Sequence, residues 1–300
     1  MGDRAFYRHY LLLAVPMILQ NAITNLVSFL DNIMVGQLGT EQMSGVAIVN
    51  QLIFVYNLAI FGAVSAASIF GAQYFGNGDH RGHMHSFRFK LYATLLVSGL
   101  TMLLLLTKGS DLISLYLTDT AGNGATDVAL QYGKQYLVIM LVGLVPFAVN
   151  QAYATNIKET GQTLVPMLAS FVAVGTNAVL DYLLIFGVGP FPELGVTGAA
   201  LATVIARYVE AVIVVFWAHR NREKNRYLEG AYRGFGIPVS ELKTILIKGL
   251  PLMFNEVLWA AGMTTVTQCY SVRGLDVVAG LNIATTITLS LIHISEPTRH

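Results

Sequence analysis

Four acidic residues lie within long apolar stretches of this 300-residue chain: Asp31, Asp181, Glu210 and Glu256. A carboxylate inside a membrane helix costs several kcal/mol on most scales, so one that is retained usually serves an ion, a proton or a substrate. Asp31 is the clearest case, because it lies in LVSFLDNIMVGQLG, toward the end of an otherwise uncharged run over 10–35. These acids are the first candidates for chemistry.

Three further positions fall at the depth of Asp31. Asn177 and Asp181 stand four residues apart in VGTNAVLDYLLIFG, so both project from one face of a helix, and Thr203 lies about two turns into the following apolar stretch. Two carboxylates, an amide and a hydroxyl offer oxygen ligands, which suit a hard cation such as Na⁺. Two close carboxylates also resist double ionisation, so the group can hold a proton instead. The alternative is that each acid lies near a helix end and reaches water.

The other two acids receive different predictions. Glu256 lies in GLPLMFNEVLWAAG, near mid-membrane and without a basic partner on its own helix, so we predict a second cation or proton site; pairing with an absent span is the alternative. Glu210 follows Arg207 by three residues, which predicts a local, structural ion pair. Pro16 and Pro251 each remove a helical hydrogen bond and permit bending, although prolines that merely pack are also common in membrane helices.

The elements that must position these residues are membrane helices. The chain is 54% hydrophobic and 12% charged, with a mean hydropathy of +0.59, whereas a soluble domain has about 25% charged residues. Apolar stretches of about 20 residues, enough to cross a bilayer, recur along it. The predicted spans are 10–35, 46–74, 88–107, 136–157, 163–186, 195–218 and 243–270, with an eighth beginning near 276. The sequence therefore predicts an all-α integral membrane protein.

The distribution of basic residues predicts the orientation of these spans. Thirteen lysines and arginines fall on one side, in the N-terminus, the 75–90 segment, at Lys158 and in the 219–248 segment. The other side has only Lys108, Lys134 and Arg273. By the positive-inside rule, the N-terminus and the 219–242 segment are cytoplasmic. We expect a multi-pass protein of the cytoplasmic (plasma) membrane.

A weak internal repeat predicts two lobes. At an offset of 235 positions, Pro16 falls on Pro251, Gly39 on Gly274 and Gly45 on Gly280. Repeated helix bundles are the usual architecture of secondary transporters. We expect a six-span lobe over 1–218, a cytoplasmic connection over 219–242 and the start of a second lobe over 243–288, which makes the chain an N-terminal fragment. Residues 289–300 resemble a translated sequencing adapter and are excluded from functional argument.

Several other classes of function lack their signature in this sequence. No GxxxxGK[ST] loop is present, and no nucleophile with a base and an oxyanion site stands out, so we expect neither an ATP-driven pump nor an enzyme. The three histidines of DHRGHMHSF, His80, His83 and His85, resemble a metal cluster but lie in a cytoplasmic loop, which disfavours a metal. We expect no cofactor and no nucleic-acid partner.

With these residues in view, the chain resembles the multidrug and toxic compound extrusion (MATE) family over residues 5 to about 288. The resemblance rests on AVPMILQNAITNLVSFLDNIMVGQLG, GAQYFGNGD, NAVLDYLLIFGVGPFPELGVTGAALATVIAR and GLPLMFNEVLW. It implies twelve spans in two six-helix lobes, of which about seven or eight are present, and exchange of lipophilic, cationic drugs for H⁺ or Na⁺ by a monomer.

The resemblance also assigns roles to residues. It makes Asp31, Asn177, Asp181 and Thr203 the cation or proton site of the first lobe and Glu256 the acid of the second. It matches Pro16 to the proline at which the first helix bends in some members.

A flippase for a lipid-linked or polysaccharide precursor is the alternative function. Such a cavity would be expected to carry Arg or Lys for phosphates, but Arg207 is the only basic residue well inside a predicted span.

Overall fold

In a computed structural model the chain is a bundle of α-helices. The structure describes residues 4–117, 125–233 and 236–273, together with 277, 280, 281 and 284, and no strand occurs among them. The helices are α1 (Arg4–Gly36), α2 (Thr40–Gly76), α3 (His80–Ser114), α4 (Ala125–Val142), α5 (Leu144–Glu159), α6 (Leu164–Phe186), α7 (Val196–Arg220) and α8 (Val239–Ser271), with a short 3₁₀ turn at Arg226–Leu228. The all-α prediction is confirmed.

The predicted fourth span, 136–157, is two helices rather than one. α4 and α5 meet at Gly143 with a bend of 45°. The cause is Pro146, which has no N–H to donate to the carbonyl of Val142 and whose ring crowds that carbonyl. The Tyr56 hydroxyl donates to the Leu144 carbonyl at 2.8 Å, which stabilises the backbone at this break.

The outer surface of the bundle fits lipid. On α3, Leu96, Leu100 and Leu103 are 64%, 59% and 62% exposed, and their spacing places them in one apolar stripe. Within the described residues, α2, α3, α6 and α7 are long and apolar enough to cross a membrane, and the bent pair α4–α5 makes a fifth span. The count of seven or eight spans stays a prediction.

α2 lies at the centre of the bundle and packs against α3, α4, α5 and α8. Its buried side chains include Ile48, Val49, Ile53, Tyr56 and Ile60. Beside it, α1 packs against α6, and α6 packs against α7. These three helices carry the acids and the threonine predicted to act together.

α6 and α7 approach each other closely because Gly198 has no side chain. A Cβ atom at Gly198 would lie 2.6 Å from the Leu184 carbonyl oxygen, a distance that real Cβ atoms do not adopt. The chain between the two helices is tied back by hydrogen bonds from Leu194 N to Leu184 O at 2.9 Å and from Gly195 N to Ile185 O at 3.3 Å. This crossing sets the spacing between the side chains of α6 and α7.

α1 and α8 correspond as the repeat predicts. Both helices have 33 residues, each with an internal proline. The offset that superposes Pro16 on Pro251 also superposes both ends of α1 on both ends of α8. The two prolines therefore occupy the same position in helices of the same length.

The 219–242 segment is fastened to α3 by a buried arginine. Arg88 is 6% exposed, and its guanidinium donates to the carbonyls of Gly230, Ala231, Arg233 and Gly236 at 2.7–3.1 Å. Because Arg88 bonds to four backbone carbonyls, this part of the 219–242 segment is held against α3.

Two of the three histidines of DHRGHMHSF contact acids. His83 Nε2 lies 3.3 Å from Glu159 Oε2, and His85 Nδ1 lies 2.9 Å from Glu241 Oε2. Glu159 also pairs with the fully buried Lys90. The part of the chain that is described contains no group of three potential metal-ligating side chains.

Candidate functional site

The acids of α1 and α6 face each other. The Asp31 carboxyl interacts with the Asp181 carboxyl across the contact between α1 and α6. Asp181 is fully buried, and Asp31 is partly buried. Two carboxylates are acceptors only, so they can bond to each other only with a proton between them, or through a shared cation.

Asp181 is short of hydrogen-bond donors. Neither of its carboxyl oxygens accepts a bond of normal geometry from any described residue. Asn177 lies one turn away on α6 and faces this carboxyl, but its Nδ2 likewise lacks a partner among the described atoms. Orphaned buried polar groups cost roughly 1–3 kcal/mol each, so this arrangement favours a bound cation or proton.

Thr203 joins the group through a tyrosine. Its hydroxyl donates to the Ala199 carbonyl of its own helix at 3.0 Å, which leaves its oxygen as an acceptor. The Tyr136 hydroxyl lies beside it and donates to Asn50 Oδ1 at 3.2 Å. Tyr136 also interacts electrostatically with both Asp31 and Asp181.

The structure thus brings all four predicted residues of the first lobe together and adds two that the sequence argument missed. Tyr136 enters from α4 and Asn50 from α2, each about three turns from the N-terminal end of its helix. The estimate of depth that grouped Asp31 with Asp181, one to two turns from a helix end, does not include them. Nothing else in the sequence separates Tyr136 from the chain's 13 other tyrosines.

The Arg207 side chain contacts the break between α4 and α5. Its guanidinium donates to the Gly143 carbonyl at 3.4 Å and lies 5.1 Å from the centre of the Phe147 ring. It also interacts electrostatically with Tyr136, Tyr56 and Glu210. This arginine therefore supports the bend and places a positive charge beside the tyrosine of the site.

The predicted ion pair between Arg207 and Glu210 is wrong. The ion pairs of the described residues do not include one between them. Glu210 instead accepts a hydrogen bond from Ser170 Oγ at 2.5 Å. The three-residue spacing places the two side chains on one side of α7, but Arg207 extends to α5 and Glu210 to α6.

The remaining predicted site residues lie in α1 and α8. Pro16 is buried within α1, and Pro251 is exposed within α8. Glu256 belongs to α8, but its side chain lies outside what the structure describes, as do most of the predicted eighth span and residues 289–300. The bending role of the prolines and the ion site at Glu256 stay predictions.

Known sequences give a consistent set of similarities. The sequence model of the MatE family matches residues 16–183. A probable multidrug resistance protein NorM from Thermotoga maritima is 27% identical over 273 residues, which cover 90% of this chain and 56% of that protein. A protein of the same description from Rhizobium meliloti is 30% identical over 224 residues, covering 74% of this chain and 46% of that protein. The chain thus spans about half the length of these curated relatives.

Solved structures show the same fold. Inward-facing and outward-facing conformations of a multidrug resistance MATE family transporter of the MOP superfamily give TM-scores of 0.75 and 0.74 at 23% and 21% identity. Each match covers 95% of this chain, and 62% and 64% of the respective structures. A MOP superfamily transporter from Pyrococcus furiosus, for which a reversed polarity of the binding pocket suggests a different function, gives 0.72 at 22% identity and covers 95% of this chain and 64% of that structure.

Proposed function

Because the chain belongs to the MatE family, we propose that it forms the first lobe of a secondary transporter that exports lipophilic or cationic compounds in exchange for H⁺ or Na⁺. The proposed organisation is a six-span lobe over 1–218, a cytoplasmic connection over 219–242 and the start of a second lobe over 243–288. The protein spans the plasma membrane with its N-terminus in the cytoplasm and acts as a monomer when complete. It transports rather than catalyses a reaction, and its only inorganic ligand is the coupling ion.

One observation carries this proposal: the paired carboxyls of Asp31 and Asp181 lie across the α1–α6 contact with too few donors. A proton or a monovalent cation held between them cancels one of the two negative charges, which removes the repulsion between the carboxylates, and supplies what both carboxyls lack. Asn177, Thr203, Tyr136 and Asn50 then provide a polar surround of amide and hydroxyl groups. Such a site is filled in one state of the transporter and emptied in the other.

Exchange follows from the position of this pair between two helices. With the pair ionised, repulsion between the carboxylates opposes close approach of α1 and α6; with a proton or Na⁺ bound, that repulsion is removed. An ion shifts an equilibrium only by its differential affinity for the two states. We propose that α1 responds by bending at Pro16, and that this bending displaces the exported compound.

The second lobe has a related role in this proposal. Glu256 in α8 serves as its acid, and Pro251 permits α8 to bend as Pro16 does in α1. The equal lengths of α1 and α8 and their matching prolines support this symmetry.

The test uses the protein expressed from the uninterrupted genomic reading frame. Asp31→Asn and Asp181→Asn should each reduce drug efflux to about the background of cells without the protein, while leaving expression and drug binding intact. An amide keeps the shape of the carboxyl but can neither take up a proton nor offer a charge to Na⁺. Efflux is measured as drug accumulation at matched protein levels, with and without a pH or sodium gradient.

Two milder variants make the comparison specific. Asn177→Ala and Thr203→Ala should each lower efflux only in part, since each removes one neutral ligand. Normal efflux by Asp31→Asn in a gradient-dependent assay would place the coupling site elsewhere.

The flippase alternative differs in its cargo. A precursor that carries phosphate requires a free basic side chain in the cavity, whereas Arg207 is engaged by Gly143 and Phe147. Stimulated export of lipid-linked precursors, without export of cationic dyes, would favour that alternative.

A further inference from the structure

A second polar group lies deeper in the same three helices. Gln20 of α1 donates through Nε2 to Ser170 Oγ of α6 at 2.6 Å, and Ser170 Oγ donates to Glu210 Oε1 of α7 at 2.5 Å. Gln20 and Ser170 each lie roughly 16 Å along their helices from Asp31 and Asp181, and Glu210 lies roughly 10 Å from Thr203, at 1.5 Å per residue. We call these three residues the inner tier and the Asp31–Asp181 pair the outer tier.

The inner tier has more acceptors than donors. Asn150 of α5, 3% exposed, lies beside the Glu210 carboxyl. Its Oδ1 and the Oε1 of Gln20 are buried and accept no hydrogen bond from any described residue. These two orphaned amide oxygens need a donor, and a protonated carboxyl at Glu210, beside Asn150, is one.

The charges around Glu210 come from two elements. Lys158 of α5 and Arg207 of α7 interact with it electrostatically, and Ser170 of α6 and Gln20 of α1 contribute only neutral groups. Neither cation lies within 4 Å of Glu210 among the ion pairs of the described chain. Glu210 is therefore not neutralised by direct contact with a fixed partner.

The ligands present fit a proton better than a metal ion. Ser170 both accepts and donates a hydrogen bond, so its oxygen is already engaged. One carboxyl and two amide oxygens remain, while hard metal cations take about six or more oxygen ligands. Lys158 and Arg207 further disfavour a second metal ion in this group.

We propose that Glu210 is a second proton site, which takes up and releases a proton on the cytoplasmic side of the outer tier. This inference rests on the proposed exchange function, because a proton that crosses the membrane must leave the outer tier inward. The O–H bond of the outer tier breaks as its proton passes to water, an O–H bond forms on Glu210 as water delivers a proton to it, and Glu210 then releases that proton to water on the cytoplasmic side as hydronium.

The test is infrared difference spectroscopy of the purified protein from the uninterrupted reading frame, recorded across pH. A protonated carboxyl has its own C=O stretching band, so each proton site gives a band that disappears on deprotonation. Glu210→Gln should lose one such band, and Asp181→Asn should lose a different one. Glu223→Gln, which changes an exposed acid of the connection, is the matched control and should lose neither.

Two outcomes overturn the proposal: a Glu210→Gln spectrum that superposes on the wild type at every pH, or loss of Na⁺ binding by that variant without loss of a band. If Glu210→Gln does not fold, Ser170→Ala tests the same point, because removing the donor to the ionised carboxylate should shift the disappearance of the Glu210 band to higher pH. An unshifted spectrum of a folded Ser170→Ala protein also counts against the proposal. Failure of the exchange function itself appears separately, as gradient-independent efflux by the wild type.

Discussion

At the residue scale, the features that stand out are polar groups kept where water cannot reach them. Burying a hydroxyl or amide without a partner costs a few kcal/mol, and an unpaired carboxylate costs more. Asp181 is fully buried without a donor, and Asn177 Nδ2 beside it has no acceptor. A buried polar side chain without a partner is retained when a ligand supplies the missing interaction during part of a functional cycle. The hydroxyl of Tyr136, which donates to Asn50 and lies beside Thr203, adds a further polar group from α4.

Tyr136→Phe tests whether that tyrosine belongs to the site. The substitution keeps the ring but removes the hydroxyl that donates to Asn50 and lies beside Thr203. We expect gradient-driven efflux to fall about fivefold, equivalent to one hydrogen bond of roughly 1 kcal/mol. Drug binding should not change.

Tyr182→Phe is the control for this variant, because Tyr182 is 52% exposed on the outer surface of α6. It should transport as the wild type does. If both variants behave alike, Tyr136 is a packing residue.

At the scale of elements, the site depends on how closely α6 and α7 approach. Asp181 and Thr203 lie on different helices, and Gly198 allows the backbones of those helices to meet. Substituting a larger residue must push the helices apart, because the atom it would meet belongs to the backbone and not to a flexible side chain. Glycine is therefore required at this one crossing for a packing reason.

Gly198→Ala should destabilise the protein by about 1–3 kcal/mol, the usual cost of overpacking a tight contact. We expect a lower temperature of unfolding in detergent and weaker coupling of efflux to the ion gradient. Gly175→Ala on α6 is the matched control, since a Cβ atom there meets nothing within 4 Å. It should be neutral or stabilising by roughly 0.5–1 kcal/mol, the helical advantage of alanine over glycine. Equal stabilities of the two variants would contradict the close contact.

At the scale of the whole molecule, the 219–242 segment, which we propose connects two lobes, is attached to the helix bundle rather than loose. Arg88 binds four of its carbonyls, and Asn225 within it is fully buried. The connection therefore offers accessible positions only at its exposed side chains, such as Glu223. This matters for measuring the orientation of the protein in its membrane.

Cysteines at Glu223 and Asp111, in a background without Cys269, should label from opposite sides. Both positions are exposed, and the distribution of lysine and arginine predicts that Glu223 faces the cytoplasm and Asp111 the outside. An impermeant thiol reagent applied to whole cells should label Asp111→Cys alone, and both variants after permeabilisation. Labelling of Glu223→Cys in intact cells would reverse the proposed topology.

The proposed organisation also makes a genomic prediction. The uninterrupted reading frame should encode roughly 150 to 180 further residues, which complete a second lobe of six helices. It should not encode an equivalent of SLIHISEPTRH. The repeat of α1 in α8 and the length of the relatives both support it. Sequencing the native transcript is the measurement, and a stop codon directly after His300 would contradict the expectation.

The class of the protein and the main candidates for its site follow from the sequence alone. Apolar runs of bilayer length dictate membrane helices because backbone groups must bond internally in lipid. Placing an acidic side chain within such an apolar run costs several kcal/mol in the membrane, so such an acid suggests a functional role. For this reason Asp31 and Asp181 could be identified without a structure. The four-residue spacing of Asn177 and Asp181 likewise fixes their common face on any helix.

The groups that those acids face depend on how the helices pack against one another. Glu210 and Arg207 lie near each other on α7, yet they extend to different helices, and Pro146 turns one predicted span into the bent pair α4–α5. Tyr136 lies at the site because of how α4 packs. It could not be identified from the sequence, because a tyrosine in an apolar helix costs little free energy and is common. Local sequence patterns determine which side of a helix a residue occupies. The partners of that residue depend on how the helices pack. The packing in turn depends on contacts between different helices, such as that of Gly198 in α7 with Leu184 in α6.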